Sequence, residues 1–249
     1  MKHEEIQRKY KNHIFLSFIG AGGSKKLVGD VIVNVFFVND SNSTWTESAR
    51  NAYKENHYSV LRFLVKSAKK FGVDLSIRSA FGSGTVSMVC NSDNSEKWSR
   101  EIVEQYGRKS LLEYQKGYKL NFSCDEAPII FVFNKPFRDY AFSSNSITQQ
   151  LDEFSVVSSP FEQRTIMHEL LHQFGARDLY FPKDLKELVR EMGYSSVMAE
   201  DSTCWIDSLT AYLIGWGSEI DSSAVQILDK MKNLTHESYY ETVDDEWEE

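Results

Sequence analysis

His168-Glu169-Leu170-Leu171-His172-Gln173-Phe174-Gly175-Ala176-Arg177-Asp178 is the stretch on which both the fold and the chemistry of this chain turn. On a helix, residues i and i+4 share a face, so His168 and His172 can point two imidazoles at one metal ion. Glu169 stands one position on, where a carboxylate can reach a water on that metal. Gly175 can take the left-handed geometry that ends a helix, and the chain can then turn back to bring in Asp178 as a third ligand. Two imidazoles, a carboxylate and an open fourth position describe a catalytic zinc site, with Zn2+ as the expected cofactor and Glu169 as the general base.

The bland alternative is a solvated amphipathic helix with idle histidines, since an HExxH run arises by chance in roughly one chain in a hundred of this composition. The neighbours argue against it. Ile166, Leu170, Leu171 and Phe174 put apolar bulk around the two histidines, and a buried His needs a partner. Ser159 is expected as the helix N-cap, with Pro160 at the first helical position and Glu162 three residues after the cap. Asp178 has its own alternative as a loop cap after the helix, although the spacing from Gly175 favours a ligand. Glu187 or Glu191, in the helix-like segment Lys183 to Met192, compete for the third position as in thermolysin-like enzymes.

The run His168-Glu169-x-x-His172-x-x-Gly175-x-x-Asp178 resembles the extended zinc motif of the metzincin metallopeptidases. Most members carry a third His at the last position. The Asp form is similar to the snapalysin-like and immune-inhibitor-A-like branches, and Asp178-Leu179-Tyr180 resembles the latter. Ser195-Ser196-Val197-Met198-Ala199 resembles the methionine turn beneath the metal, and Asp207 to Trp216 resembles the helix that closes such domains. The likeness spans about residues 153–217; upstream it is one of element order. It implies an α+β fold, a mixed twisted sheet with packed helices, an active-site zinc helix and a Met-turn at Met198. It also implies a hydrolase, a zinc endopeptidase acting on proteins or peptides. Some members carry a Tyr two residues after the turn methionine; here that position is Glu200, so a helper for the oxyanion is sought at Tyr180 or Tyr194. Two other readings stand beside the endopeptidase: a catalytically silent zinc protein that recognises a partner through the same cleft, and a zinc hydrolase of a small amide.

At 249 residues, with 41% hydrophobic and 13% aromatic residues, the chain suits a single domain with a real core. The expected division is a sheet-bearing part to about residue 175, a smaller part to about 235, and an acidic tail over 236–249. That tail holds seven acids and no Lys or Arg, so the net charge of −8 belongs mostly to it. The remaining 29 acids face 28 bases, and no basic patch marks a nucleic-acid partner. Three cysteines (Cys90, Cys124 and Cys204) make no disulfide framework. Cys204 is expected to be a buried, inert thiol. The charged first residues do not read as a signal peptide, and no apolar run approaches the ~20 residues of a membrane span. A cytoplasmic protein without membrane contact is therefore expected, with export by a route that needs no cleaved signal as the alternative, its oligomeric state unreadable.

Along the chain, Val31 to Val38 reads as a strand buried on both faces. Thr44-Trp45-Thr46-Glu47 reads as a capping box opening a helix to about Lys70. Val73 to Ser79 and Thr85 to Cys90 read as two strands around Gly82-Ser83-Gly84, and Ser95 to about Lys116 as one amphipathic helix. Ala127 to Phe133 is a strand, and Glu153 to Ser158 is an edge strand along the cleft, to which a peptide could add. Gly20 to Lys26 is a flexible turn, since it lacks the spacing of a phosphate loop.

Overall fold

Val31 to Val38 is buried without a break, and this run lies in the middle of strand β1, Gly29–Asn39. A strand apolar on both faces needs a layer on each side, and it has them. The computed structural model describes residues 1–143, 152–200 and 203–232; the acidic tail 236–249 lies outside the described residues. Its five strands are ordered β2-β1-β3-β5-β4, with β2 at Leu75–Thr85, β3 at Ile129–Phe133, β4 at Tyr140–Phe142 and β5 at Phe154–Ser158. All pairings are parallel except β4 with β5, which is antiparallel. Eight α-helices accompany the sheet among the described residues, so the architecture is a mixed one with helices on both faces of a mostly parallel sheet.

Alternation along the strands sorts side chains between the two layers. Val31, Val33, Val35 and Phe37 of β1 join Ile130, Val132 and Val157 in one core. That core receives the long helix α2 (Glu47–Lys70), the helix α5 (Gln163–His172) and the C-terminal elements. Phe36 and Val38 join Phe131, Phe133, Phe154 and Val156 on the other face, beneath Trp98, Ile102 and Tyr114. Those last three come from α3 (Ser95–Glu104) and α4 (Leu111–Phe122). The site helix α5 is thus backed by the sheet, and both its apolar and its polar residues from Ile166 to His172 are buried.

Several boundaries differ from the sequence reading. The cap of α2 is Thr46, whose hydroxyl accepts from the Ala49 amide at 3.2 Å, two residues later than the capping box at Thr44. Trp45 decides this: its indole donates to the Val38 carbonyl at 3.0 Å and stacks on Phe161, which holds the preceding residues off the helix axis. Gly82-Ser83-Gly84 is no turn but the interior of β2, in register with Phe36 to Val38. The glycines are needed because Tyr106 and Ile102 press on that strand; a Cβ at Gly84 would sit 2.6 Å from the Ile102 side chain. The helix expected over 95–116 is two, since the chain turns after Glu104 and Ser110 caps a new start by accepting from the Glu113 amide at 3.1 Å.

The strand expected at the edge, β5, is interior, flanked by β3 and by the short β4, which sequence reading missed. Among the described residues β4 is the sheet edge on that side. Helix α5 begins at Gln163 behind Glu162, without a side-chain cap, so Ser159 and Pro160 lie in the preceding turn rather than in the helix. Phe161 in that turn holds a left-handed φ of 62°, a conformation costly for a bulky residue. Its ring is buried against Trp45 and Tyr53, which offsets the cost. No helix among the described residues is long and apolar enough to cross a membrane.

Candidate metal centre

Gly175 behaves as its position suggests. It takes φ 96°, its amide donates to the His172 carbonyl at 3.0 Å, and the chain reverses behind α5. The reversal brings Asp178 onto the imidazole face of the helix. Asp178 Oδ1 lies 3.0 Å from His168 Nε2 and 3.3 Å from His172 Nε2, and the two Nε2 atoms are 3.1 Å apart. Among the described residues this is the one group of three such donors close enough to share an ion. Glu187 and Glu191, the competitors for the third position, are solvent-exposed on helix α6 (Lys183–Glu191) and outside the group.

The far ring nitrogens explain why these three atoms face one another. His168 Nδ1 is 3.0 Å from the Val197 carbonyl, and His172 Nδ1 is 2.9 Å from the Ala176 carbonyl. A carbonyl only accepts, so each Nδ1 carries the hydrogen and each neutral Nε2 is left with its lone pair. Three acceptors then converge with no donor between them, and Asp178 Oδ1 is a buried oxygen without a hydrogen-bond donor. Such a cluster requires a positive charge. A proton is one answer, a divalent cation another. Ligand atoms at bonds of ~2.0–2.1 Å around a tetrahedral ion stand roughly 3.3–3.4 Å apart, close to the 3.0–3.3 Å found here. The donor set and its spacing therefore fit a small divalent metal ion. The Asp178 side chain retains 21% of its surface, so the group opens to solvent on that side.

Electrostatics follow the same geometry. Where a proton supplies the positive charge, burial disfavours the imidazolium of His168, yet the hydrogen bond it then makes to Asp178 and the Asp178 charge carry its pKa up to about 9. Burial also acts on His172 and wins, lowering it despite Asp178. Asp178 is itself disfavoured as an anion by burial, but the two imidazoles hold its carboxyl well below the usual range. Burial pushes Glu169 up to about 8, moderated by His168 and reinforced by Asp178. Its Oε2 is buried without a partner among the described residues.

Further side chains fix α5 in place, and none of them was legible in the sequence. Gln173 Nε2 donates to the Ile129 carbonyl at 2.9 Å and its Oε1 accepts from the Ile129 amide at 3.0 Å, as a neighbouring strand would. The same Nε2 donates to Ser155 Oγ at 2.8 Å, and Ser155 donates to the Glu169 carbonyl at 2.5 Å. Met198 is fully buried, and its carbonyl accepts from the Leu179 amide at 2.8 Å.

The two tyrosines expected as helpers part company. Tyr180 lies at the group, its ring 5.9 Å from that of His168 and nearly parallel to it. Tyr194 is a correction: its hydroxyl donates to Asp207 Oδ1 at 2.6 Å and is spent there, so it cannot serve an oxyanion at the metal face. Cys204 is a second correction, being exposed rather than buried, because Thr203 to Trp205 run along the surface. Beside Tyr180 a cavity of about 360 Å³ opens between Leu179, Val189 and Ala199. A larger one of about 760 Å³ lies between α3 and α4, away from the metal group.

No protein-family model and no curated protein sequence matches this chain. Among solved structures it is similar to metalloproteinase-II from Bacteroides fragilis, at 14% identity and a TM-score of 0.35, over 93% of this chain and 70% of that one.

Proposed function

We propose that this protein is a zinc-dependent endopeptidase of the metzincin kind, with His168, His172 and Asp178 holding the metal and Glu169 as general base. The observation that carries the reading is the convergence of three buried acceptors, tautomers fixed, beside a buried carboxyl with an unpartnered oxygen. When bound, zinc would supply Lewis acidity toward a water and toward a substrate carbonyl. Glu169 Oε2 takes the proton from the attacking water. It later gives that proton to the leaving amine. Burial raises the proton affinity of this carboxyl, which suits it to both transfers. Tyr180 is the remaining candidate for steadying the carbonyl oxygen. Met198 serves as an apolar floor. The outer edge of β4, unpaired among the described residues, offers amides and carbonyls to an extended peptide, a binding mode tolerant of side-chain identity. The cavity beside Tyr180 would take one substrate side chain.

The test is cleavage of a mixed peptide library by zinc-loaded protein, with Glu169→Gln and chelator-treated samples alongside. Removal of a general base costs about 10²–10⁴-fold in rate, so cleavage should fall by that much in the variant and vanish in chelator. Tight stoichiometric zinc with no turnover on any unfolded protein or peptide would refute the peptidase and favour a binding role for the same cleft.

A further inference from the structure

Two of the three metal-group residues are oriented by one short loop, Ser196-Val197-Met198. The Val197 carbonyl accepts from His168 Nδ1 at 3.0 Å. The Met198 carbonyl accepts at 2.8 Å from the amide of Leu179, the residue after Asp178. Both contacts use backbone atoms, so whatever fixes the conformation of this loop fixes the aim of His168 and the approach of Asp178. Asp207 does so from beneath. It is 4% exposed and collects five donors: Tyr194 Oη at 2.6 Å, the Leu209 and Thr210 amides at 2.9 Å each, Thr210 Oγ1 at 2.5 Å, and Ser196 Oγ in a short bond. With its hydrogen committed to Asp207, the Ser196 hydroxyl turns a lone pair on the Met198 amide, which donates to it at 3.0 Å. Three donors would suffice for an N-cap. The bonds from Tyr194 and Ser196 come from outside the helix that Asp207 caps, α7 (Ser208–Leu213), and bind it to the loop.

We infer that Asp207 is a positioning residue of the metal centre, acting through Ser196 on the Met198 amide and so on the Val197 carbonyl that orients His168. The inference rests on the metal-site reading above. Asp207 touches neither metal nor substrate. An amide cannot replace it: in Asp207→Asn the oxygen would stay with the α7 amides, so the side-chain NH2 would face Ser196, whose hydroxyl would have to accept and would lose its direction.

The experiment measures zinc affinity by competition with a chromophoric chelator, and the visible spectrum of the cobalt(II)-loaded protein as a report on ligand geometry. Wild type, Asp207→Asn, Ser196→Ala and Ile102→Ala are compared well below their melting temperatures. Ile102 lies on the far face of the sheet and serves as a control for lost stability alone. Loss of an outer partner of a metal-bound His weakens affinity by about 10–100-fold. That loss, with a changed cobalt spectrum, is expected for Asp207→Asn and Ser196→Ala but not for Ile102→Ala. Should Asp207→Asn fail to fold, Ser196→Ala decides, since it leaves the other four bonds to Asp207 in place. Unchanged affinity and spectrum in the folded variants would overturn the inference while leaving the metal site standing. Absence of zinc or cobalt binding by the wild type would overturn both.

Discussion

Replacing Gln173 with Leu tests how the metal helix is tied to the sheet. Leu branches one carbon earlier than Gln but has a comparable volume, so little cavity forms, and the change is chiefly the loss of one amide. That amide pairs the N–H and C=O of Ile129, both deep in the core where β3 runs past the start of β5, and also supports Ser155. Two backbone groups of Ile129 would be stranded. Each stranded buried group costs about 1–3 kcal/mol, so the loss should be about 2–6 kcal/mol. With an unfolding entropy of roughly 2.1 cal/mol/K per residue, the melting temperature should fall by about 4–11 °C. Urea unfolding followed by circular dichroism would give the free energy, and a thermal scan the midpoint. Gln173→Glu should cost at least as much, since it keeps the acceptor for the Ile129 amide but turns an anion on the Ile129 carbonyl. A loss below about 1 kcal/mol for Gln173→Leu would show that Ile129 finds other partners and that the side chain does not act as a strand surrogate.

Zinc at a hundred times its dissociation constant should raise stability by about 2.7 kcal/mol, near 5 °C in melting temperature. The shift should vanish in Asp178→Ala and His172→Ala, and a persisting shift would place the ion elsewhere. Acid should weaken the fold through two histidines outside the site. Burial lowers His57, held between Tyr53 and Ser79, to about 3 and His13 to about 4. Both folded values lie below the unfolded one of roughly 6.5, so the unfolded chain binds protons first and stability falls as pH drops from there toward 4 and 3. Between pH 7 and 5 each should cost about 2 kcal/mol, and urea midpoints of wild type and His57→Leu should show the smaller pH slope in the variant. Gly175→Ala places a Cβ at φ 96° and 3.0 Å from the Phe18 carbonyl. It should destabilise by more than about 1 kcal/mol and weaken zinc binding as Asp178 shifts, which calorimetry would register.

The sequence made β1 and β3 plain because their residues are apolar on both faces, the mark of strands between two helical layers. It hid β4, whose three half-buried residues are too few to show a period. With β4 unseen, β5 reads as the edge. The glycines of β2 look like turn residues in one dimension, while in three they make room for Ile102 and Tyr106. Ser159 and Pro160 carry every local sign of a helix start. Tertiary packing of Phe161 between Trp45 and Tyr53 overrides those signs and delays the helix to Gln163.

At the site the legible part was the group that must be a particular side chain: the roles proposed for His168, His172, Asp178 and Glu169 rest on imidazole and carboxylate chemistry, three of them at helical spacing and Asp178 beyond the Gly175 turn. The illegible part is made of groups that every residue has. The carbonyls of Val197 and Ala176 fix both imidazole tautomers, and no choice of side chain at those positions announces it. Tyr194 shows the opposite error, since a tyrosine near a suspected metal invites a catalytic role that its bond to Asp207 forecloses. The two observations have one cause. Once two ligands depend on backbone atoms of a loop, the side chains that matter are those pinning the loop, and these lie behind it, where a chemist reading for nucleophiles and bases does not look. Asp207, Ser196 and Tyr194 are polar, packed behind the loop and mutually bonded for that reason. A buried carboxylate with more donors than a helix cap needs is therefore a sign, readable only in three dimensions, of a loop whose conformation the chemistry depends on.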